Sequence, residues 1–351
     1  MYEELFHLNR RPFAATPDLA CYFECDSNSA VVDELVDCID RCNGIGVLTA
    51  APGMGKTLLC QKLAALLDEQ YETILLSNGQ FPSSRALLQA IMFEMGVEYS
   101  RKDEDEIRLA LRSALKILRP EKEALVVIID EAHSYAPQLL EELRTLSDVA
   151  EDGRPLVRVI LAAQIEFEEQ LAGREFAAIN QRIGAQTFLQ PFSNTESLNY
   201  LHHRLAWAGG NGDGAFSPQA QHLIARASGG VPRCLNQLAD HTLLLAFASN
   251  DVPASEDRVR EALEDLKQLP LHWNDINDSV GELPPDDEPF DDFVDDQDFP
   301  EDEAVFSAAA NDALSVDRFG RPLESSEHGE SPLAATLDDA ASNAVVSNAA
   351  A

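Results

Sequence analysis

The chain has 351 residues, 45% of them hydrophobic, which is apolar material enough for a sizeable core and two packed units. Its formal charge of −35 argues against a phosphate backbone as the default partner, because long-range repulsion opposes that encounter. The longest apolar stretches, ALVVII and TLLLAFA, fall far short of the roughly 18 residues that span a bilayer. The opening MYEELFHLNRRPF also lacks the apolar stretch of a secretory leader, so a cytoplasmic protein is expected.

Residues 1–43 combine a segment rich in aromatics and prolines with one helix. Two short cysteine pairs fall there, Cys21 with Cys25 and Cys38 with Cys42. Their spacing is compatible with metal ligation, but structural zinc sites use tighter knuckles, and small apolar helix residues kept reduced explain them as well. Apolar runs then alternate with helical patterns through residues 44–192. Strands are expected at 44–50, 72–78, 124–130, 155–164 and 185–190. Helices are expected from 56 to 70, over SRALLQAIMFEMG and DEIRLALRSALKIL, from 137 to 149, and once more before the last strand. Such alternation predicts a parallel sheet covered on both faces. Residues 193–269 read as helices only, a small all-helical lid, with GGNGDG as its loosest loop. Residues 270–351 lose periodicity. From residue 271 on, 21 Asp and Glu face two arginines, a composition that cannot repay the entropy of folding and predicts a disordered acidic tail. Its phenylalanines, Phe290, Phe293, Phe299 and Phe306, fit either a docking motif or a plain solubilising tail.

The chemistry begins at AAPGMGKT, residues 50–57, between a strand and a helix. The phosphate-binding pattern G-x-x-x-x-G-K-[ST] is met except at its first glycine, where Ala50 stands. Gly53 and Gly55 supply the backbone freedom for N–H groups to wrap a phosphate. Lys56 would reach the outer phosphates, Thr57 would offer its hydroxyl to Mg²⁺, and the following helix points its positive end at the same anion. The expected nucleotide-binding stretch is Pro52, Gly53, Met54, Gly55, Lys56, Thr57 and Leu58. VVIIDEAH, residues 126–133, supplies the other half: a buried strand whose end delivers two carboxylates 74 residues after Lys56. Asp130 would hold Mg²⁺ together with Thr57, and Glu131 would orient and deprotonate the attacking water. Gln164 at the end of LAAQ, Arg182 in INQRIGAQ and Arg233 in SGGVPRCLNQ are candidates for contacts near the γ-phosphate. Each has a bland alternative as a strand-end cap or a surface ion pair.

The order of these motifs resembles that of AAA+ ATPases: phosphate loop, DE strand, polar strand end, QR before the last strand, GGxPR in a helical lid. More narrowly, the chain resembles the general secretion pathway protein A (ExeA) family over about residues 1–268. MYEELFHLNRRPFAATPD matches that family's opening MYxxxFxLxxxPFxxTPD, and TAAPGMGKT, DEAH, QRI, HHRLAWAG and GGVPRCLN follow in order. The resemblance implies ATP and Mg²⁺ as ligands, with Gln164 as sensor 1 and Arg233 as sensor 2. It implies that Arg182 is an arginine finger acting on a neighbouring subunit, and hence a homo-oligomer. It also implies an adenine pocket lined by the segment around Phe6, Phe13 and Pro17, and a protein client in an envelope or secretion complex, reached from the cytoplasm or peripherally at the inner membrane. Two departures stand out. Ala50 bears on turnover more than on binding. The acidic tail replaces the membrane span and peptidoglycan-binding region of many members, so a direct role in moving components through the cell wall does not carry over. Transposition helper (TniB-like) ATPases share much of the layout, which keeps a nucleotide-switched adaptor acting on DNA or a transposase as the alternative. A binding module with slow or no hydrolysis is a third. A DEAH-box helicase is not expected, because it needs two RecA-like domains and the residues after 193 carry no strands.

Overall fold

A computed structural model describes residues 1–77, 80–118, 122–210 and 212–267. The acidic tail expected over 270–351, with its four phenylalanines, lies outside the described residues.

The framework is a five-stranded sheet built from β1 (Ile45–Thr49), β2 (Glu72–Leu76), β3 (Leu125–Ile129), β6 (Val157–Ala163) and β7 (Ile183–Phe188). The strands lie in the order β2-β3-β6-β1-β7 and all pair in parallel. β1, β3 and β6 are buried along their whole length, which is why they read as unbroken apolar runs rather than alternations. One face carries Val47, Val127, Ile129 and Leu161 against α3 (Ser84–Glu94), α4 (Glu104–Leu118) and α5 (Pro137–Ser147). The other carries Leu48, Val126, Ile128 and Ile160 against α1 (Asp26–Asp40) and α2 (Lys56–Leu67).

Two features of this layer departed from the sequence pattern. β7 begins at Ile183, two residues before the expected run, and its pairing with β1 shifts register between Ile45 and Gly46. Gly184 makes this possible, since a Cβ there would lie 1.7 Å from the Asn43 carbonyl oxygen. A hairpin, β4 (Ala150–Glu151) with β5 (Arg154–Pro155), also interrupts the path from α5 to β6. Its turn is Asp152-Gly153, both at positive φ, the pairing favoured in two-residue hairpin loops. The single helix expected before β7 is divided into α6 (Glu166–Leu171), a 3₁₀ turn at Arg174–Phe176 and α7 (Ala177–Asn180).

Beyond β7 the chain is helical: α8 (Asn194–Trp207), α9 (Gly212–Ala215), α10 (Pro218–Ala227), α11 (Pro232–Ser249) and α12 (Glu256–Lys267). α8 opens with a reciprocal cap, Ser193 accepting from the Glu196 amide while Glu196 accepts from the Ser193 amide. Tyr2, Phe6, Leu8 and Phe13 are buried in this helical cluster, whereas Val31, Val32, Leu35 and Ile39 of α1 are buried against the sheet. The first forty residues thus divide between the two cores. Residues 12–18 form a strap between them, over the carboxyl ends of the strands.

Candidate functional site

β1 ends at Thr49, and the next residues form a loop that turns into α2. Ala50 is fully buried, its N–H still bonds across to Ala163, and its backbone is not left-handed. No glycine is needed there, which accounts physically for the departure from the motif. The tight part lies further on. Gly53 and Gly55 stand at φ +85 and +91, a region costly for any residue with a Cβ. Gly55 leaves the start of α2 without a side-chain cap, so the first N–H groups of the helix face the cleft as free donors.

Lys56 is only 6% exposed, and its ammonium donates to the carbonyls of Ala50 at 3.0 Å and Ala51 at 3.4 Å. Burial pulls its pKa below the ordinary lysine value, with Glu131 and Asp130 opposing that shift. The Thr57 hydroxyl donates to Asp130 Oδ2 at 2.7 Å, which ties the phosphate loop to the end of β3. Asp130 is 1% exposed, and burial raises its carboxyl pKa despite the Thr57 bond. Its other oxygen accepts the Glu131 amide, which helps to hold Glu131 in a left-handed conformation at φ +58.

These residues open on a cleft of about 760 Å³ lined by Pro52, Gly53, Gly55, Lys56, Thr57, Leu58, Glu131, Gln164 and Arg233, among others. Arg233 arrives from α11, its amide bonded to the Gly53 carbonyl at 3.2 Å, so the helical region touches the phosphate loop directly. The fit to a triphosphate and a magnesium ion is good in chemical terms. Uncapped helix donors, a buried ammonium held by carbonyls alone, and a hydroxyl beside a buried carboxylate are the groups such ligands take.

Two side chains from stretches expected at the cleft lie elsewhere. The Met54 side chain is buried with α1 and α2 in the core, between Gly53 and Gly55 at positive φ. Phe6 packs in the helical core with Tyr2, at 6.5 Å between ring centroids, and does not line the cleft, whereas Phe13 and Pro17 do. The paired cysteines are free thiols, and among the described residues no group of three or more His, Cys, Asp or Glu is placed to hold a metal. Arg182 lies away from the cleft of its own chain. Its carbonyl accepts from the Ile45 amide, at the start of β1, and its side chain pairs with Asp148 at 2.8 Å. Five strand residues, roughly 16 Å, separate that edge of the sheet from the phosphate loop.

On the opposite wall of the cleft, Arg204 was not among the expected site residues. Arg204 of α8, buried, donates through Nε to the Pro12 carbonyl at 2.6 Å and through Nη2 to the Ala14 carbonyl at 3.1 Å. Its third arm reaches the Tyr200 hydroxyl at 3.3 Å, which donates in turn to Asn236 Oδ1 at 3.0 Å. Arg11 pairs with Asp240, which also accepts from the Tyr2 hydroxyl at 2.5 Å. The only sequence signal for Arg204 was its place in HHRLAWAG.

Residues 40–171 match the AAA domain family. The chain carries an AAA domain. Its likeness to general secretion pathway protein A of Aeromonas hydrophila is 30% identity over 249 residues, which cover 71% of this chain and 45% of that protein. The chain thus spans less than half the length of this curated relative. The fold is also that of the ORC2 protein of Aeropyrum pernix, solved as ADPNP-ADP complexes, with a TM-score of 0.57, 19% identity and 75% of each chain covered. Cdc6p of Pyrobaculum aerophilum is similar at a TM-score of 0.58, 16% identity and 74% of each chain. Among the described residues, no helix is long and apolar enough to cross a membrane.

Proposed function

We propose that this protein binds and hydrolyses ATP with Mg²⁺ and uses the cycle to remodel or assemble a protein complex, as an ExeA-like AAA+ factor. The observation that carries the proposal is the 2.7 Å bond between Thr57 and Asp130 beside the buried Lys56, with Glu131, Gln164 and Arg233 on the same cleft. Pro52, Gly53, Gly55 and Leu58 shape the phosphate cradle, and Lys56 neutralises the outer phosphates. Thr57 and Asp130 would hold the metal, which when bound would supply positive charge against the phosphates. Glu131 takes the proton of the attacking water, Gln164 orients that water, and Arg233 carries the presence of the γ-phosphate into α11.

Arg182 acts on a neighbour. Its place at the amino end of β7, opposite the strand ends that carry the cleft, keeps it from its own nucleotide, so in this reading it serves a second subunit's cleft and the active form is a homo-oligomer. The name of the Aeromonas relative supports a client in a secretion pathway; in this proposal that client belongs to a secretion or envelope complex and is met from the cytoplasm or at the inner membrane surface. Lys56→Ala should abolish nucleotide binding, seen as loss of the thermal shift with ATP; unchanged affinity would defeat the loop assignment. Arg182→Ala should bind ATP normally yet turn over at least about a hundredfold more slowly. Normal hydrolysis by that variant at high protein concentration would remove the case for a shared site.

A further inference from the structure

His133, the last residue of DEAH, is given no part in the chemistry above, yet it sits between two of its members. Its Nδ1 accepts the backbone N–H of Gln164 at 3.3 Å, and its Nε2 lies 3.3 Å from Glu131 Oε2. The first contact decides the second. A backbone N–H can only donate, so Nδ1 has to be the unprotonated nitrogen, and the ring proton of the neutral imidazole sits on Nε2. From there it faces Glu131 Oε2 at 3.3 Å, within reach of a hydrogen bond. The ring thus bridges the backbone at the end of β6 and the carboxylate at the end of β3.

Glu131 needs such a link. Its backbone stands in the left-handed region at φ +58, and it follows the last residue of β3 by two positions, beyond the sheet's hydrogen bonding. The structure records no hydrogen bond or ion pair to its carboxylate other than that of His133 among the described residues. Gln164 lies on the same wall of the cleft, so any shift of its backbone moves the imidazole, and the imidazole moves the carboxylate.

We infer that His133 is a positioning residue for ATP hydrolysis: it holds Glu131 toward the attacking water and ties that placement to the backbone of Gln164. The inference rests on the proposed role of Glu131 as base. It predicts that loss of the ring lowers turnover without touching nucleotide affinity, because no atom of His133 lines the cleft.

The test uses the full chain and four variants, with ATP affinity and steady-state hydrolysis measured on each. Glu131→Gln should bind ATP and not cleave it. His133→Ala should bind ATP as the parent does, with kcat at least about tenfold lower, the weight of one hydrogen bond to a charged group. His133→Asn places an acceptor near Nδ1 and keeps only the Gln164 contact; His133→Gln places a donor near Nε2 and keeps only the Glu131 contact. His133→Gln should recover more of kcat than His133→Asn, an ordering that a packing role does not produce. Parental kcat in His133→Ala while Glu131→Gln is dead overturns the inference alone. So does a fall in ATP affinity that matches the fall in kcat, or equal rates in the Asn and Gln variants. Normal hydrolysis by Glu131→Gln overturns the base assignment, and this inference with it.

Discussion

The strap over residues 12–18 is held to the helical region by the buried Phe13 ring and by the hydrogen bonds of one side chain, Arg204, whose removal should be felt twice. Arg204 spends two arms on the Pro12 and Ala14 carbonyls and the third on Tyr200. Arg204→Met keeps the length and the apolar contact but leaves both carbonyls short of a donor. Two charge-assisted hydrogen bonds are worth about 3–6 kcal/mol; relief from burying the guanidinium returns part of that, for a net loss of about 2–4 kcal/mol. Urea unfolding followed by circular dichroism should show that loss in full. Nucleotide affinity should fall as well, because the strap lines the cleft with Phe13, Ala14, Ala15, Thr16 and Pro17. Each 1.4 kcal/mol of strap closure lost weakens apparent binding about tenfold. Arg204→Lys, which keeps the charge but cannot fork to two carbonyls, should fall between. A change below about 0.5 kcal/mol in Arg204→Met, with ATP binding intact, would refute the view that this residue anchors the strap.

Two further outcomes follow from the same geometry. Burial lifts the folded-state pKa of Asp130 above its unfolded value of 3.8, so the folded chain holds that proton more tightly; stability drops as pH climbs through the window above 3.8 and stays lower at neutral pH. Asp130→Asn, which keeps an acceptor for Thr57, should therefore melt higher than the parent at pH 7.5 while losing magnesium-dependent turnover; melting scans from pH 7.5 down toward 4 should show the gap closing. Gly53→Ala sets a Cβ 2.9 Å from Arg233 Cβ at φ +85 and should cost about 1–2 kcal/mol in urea unfolding, whereas Ala50→Gly, at a position with no left-handed requirement, should leave ATP affinity unchanged.

Much of this molecule is written in short-range pattern. β1, β3 and β6 are apolar runs because both faces of the sheet are covered, and AAPGMGKT and DEAH sit at strand ends because parallel strands deliver their carboxyl ends to one edge. Position along the chain therefore sufficed to bring Lys56, Thr57, Asp130 and Glu131 to one crevice on paper. Other features depend on contacts between residues far apart, which no local pattern encodes. The early start of β7 depends on Gly184 passing the Asn43 carbonyl. Arg204 became part of the cleft wall only because α8 packs against a strap 190 and more residues earlier, and Phe6 left the cleft because the helical core could bury it more fully. Likewise, the same Arg182 would be an ordinary surface arginine or a group for a neighbour's cleft on sequence grounds. Its bond to the first residue of β1 places it at the edge of the sheet that its own loop does not share. The sequence by itself determined which chemical groups the chain carries and at which strand ends they emerge, since periodicity and turn chemistry act over a few residues. Only the tertiary structure decided which distant side chains close the cleft, because burial and hydrogen-bond satisfaction are settled by the whole packed chain at once.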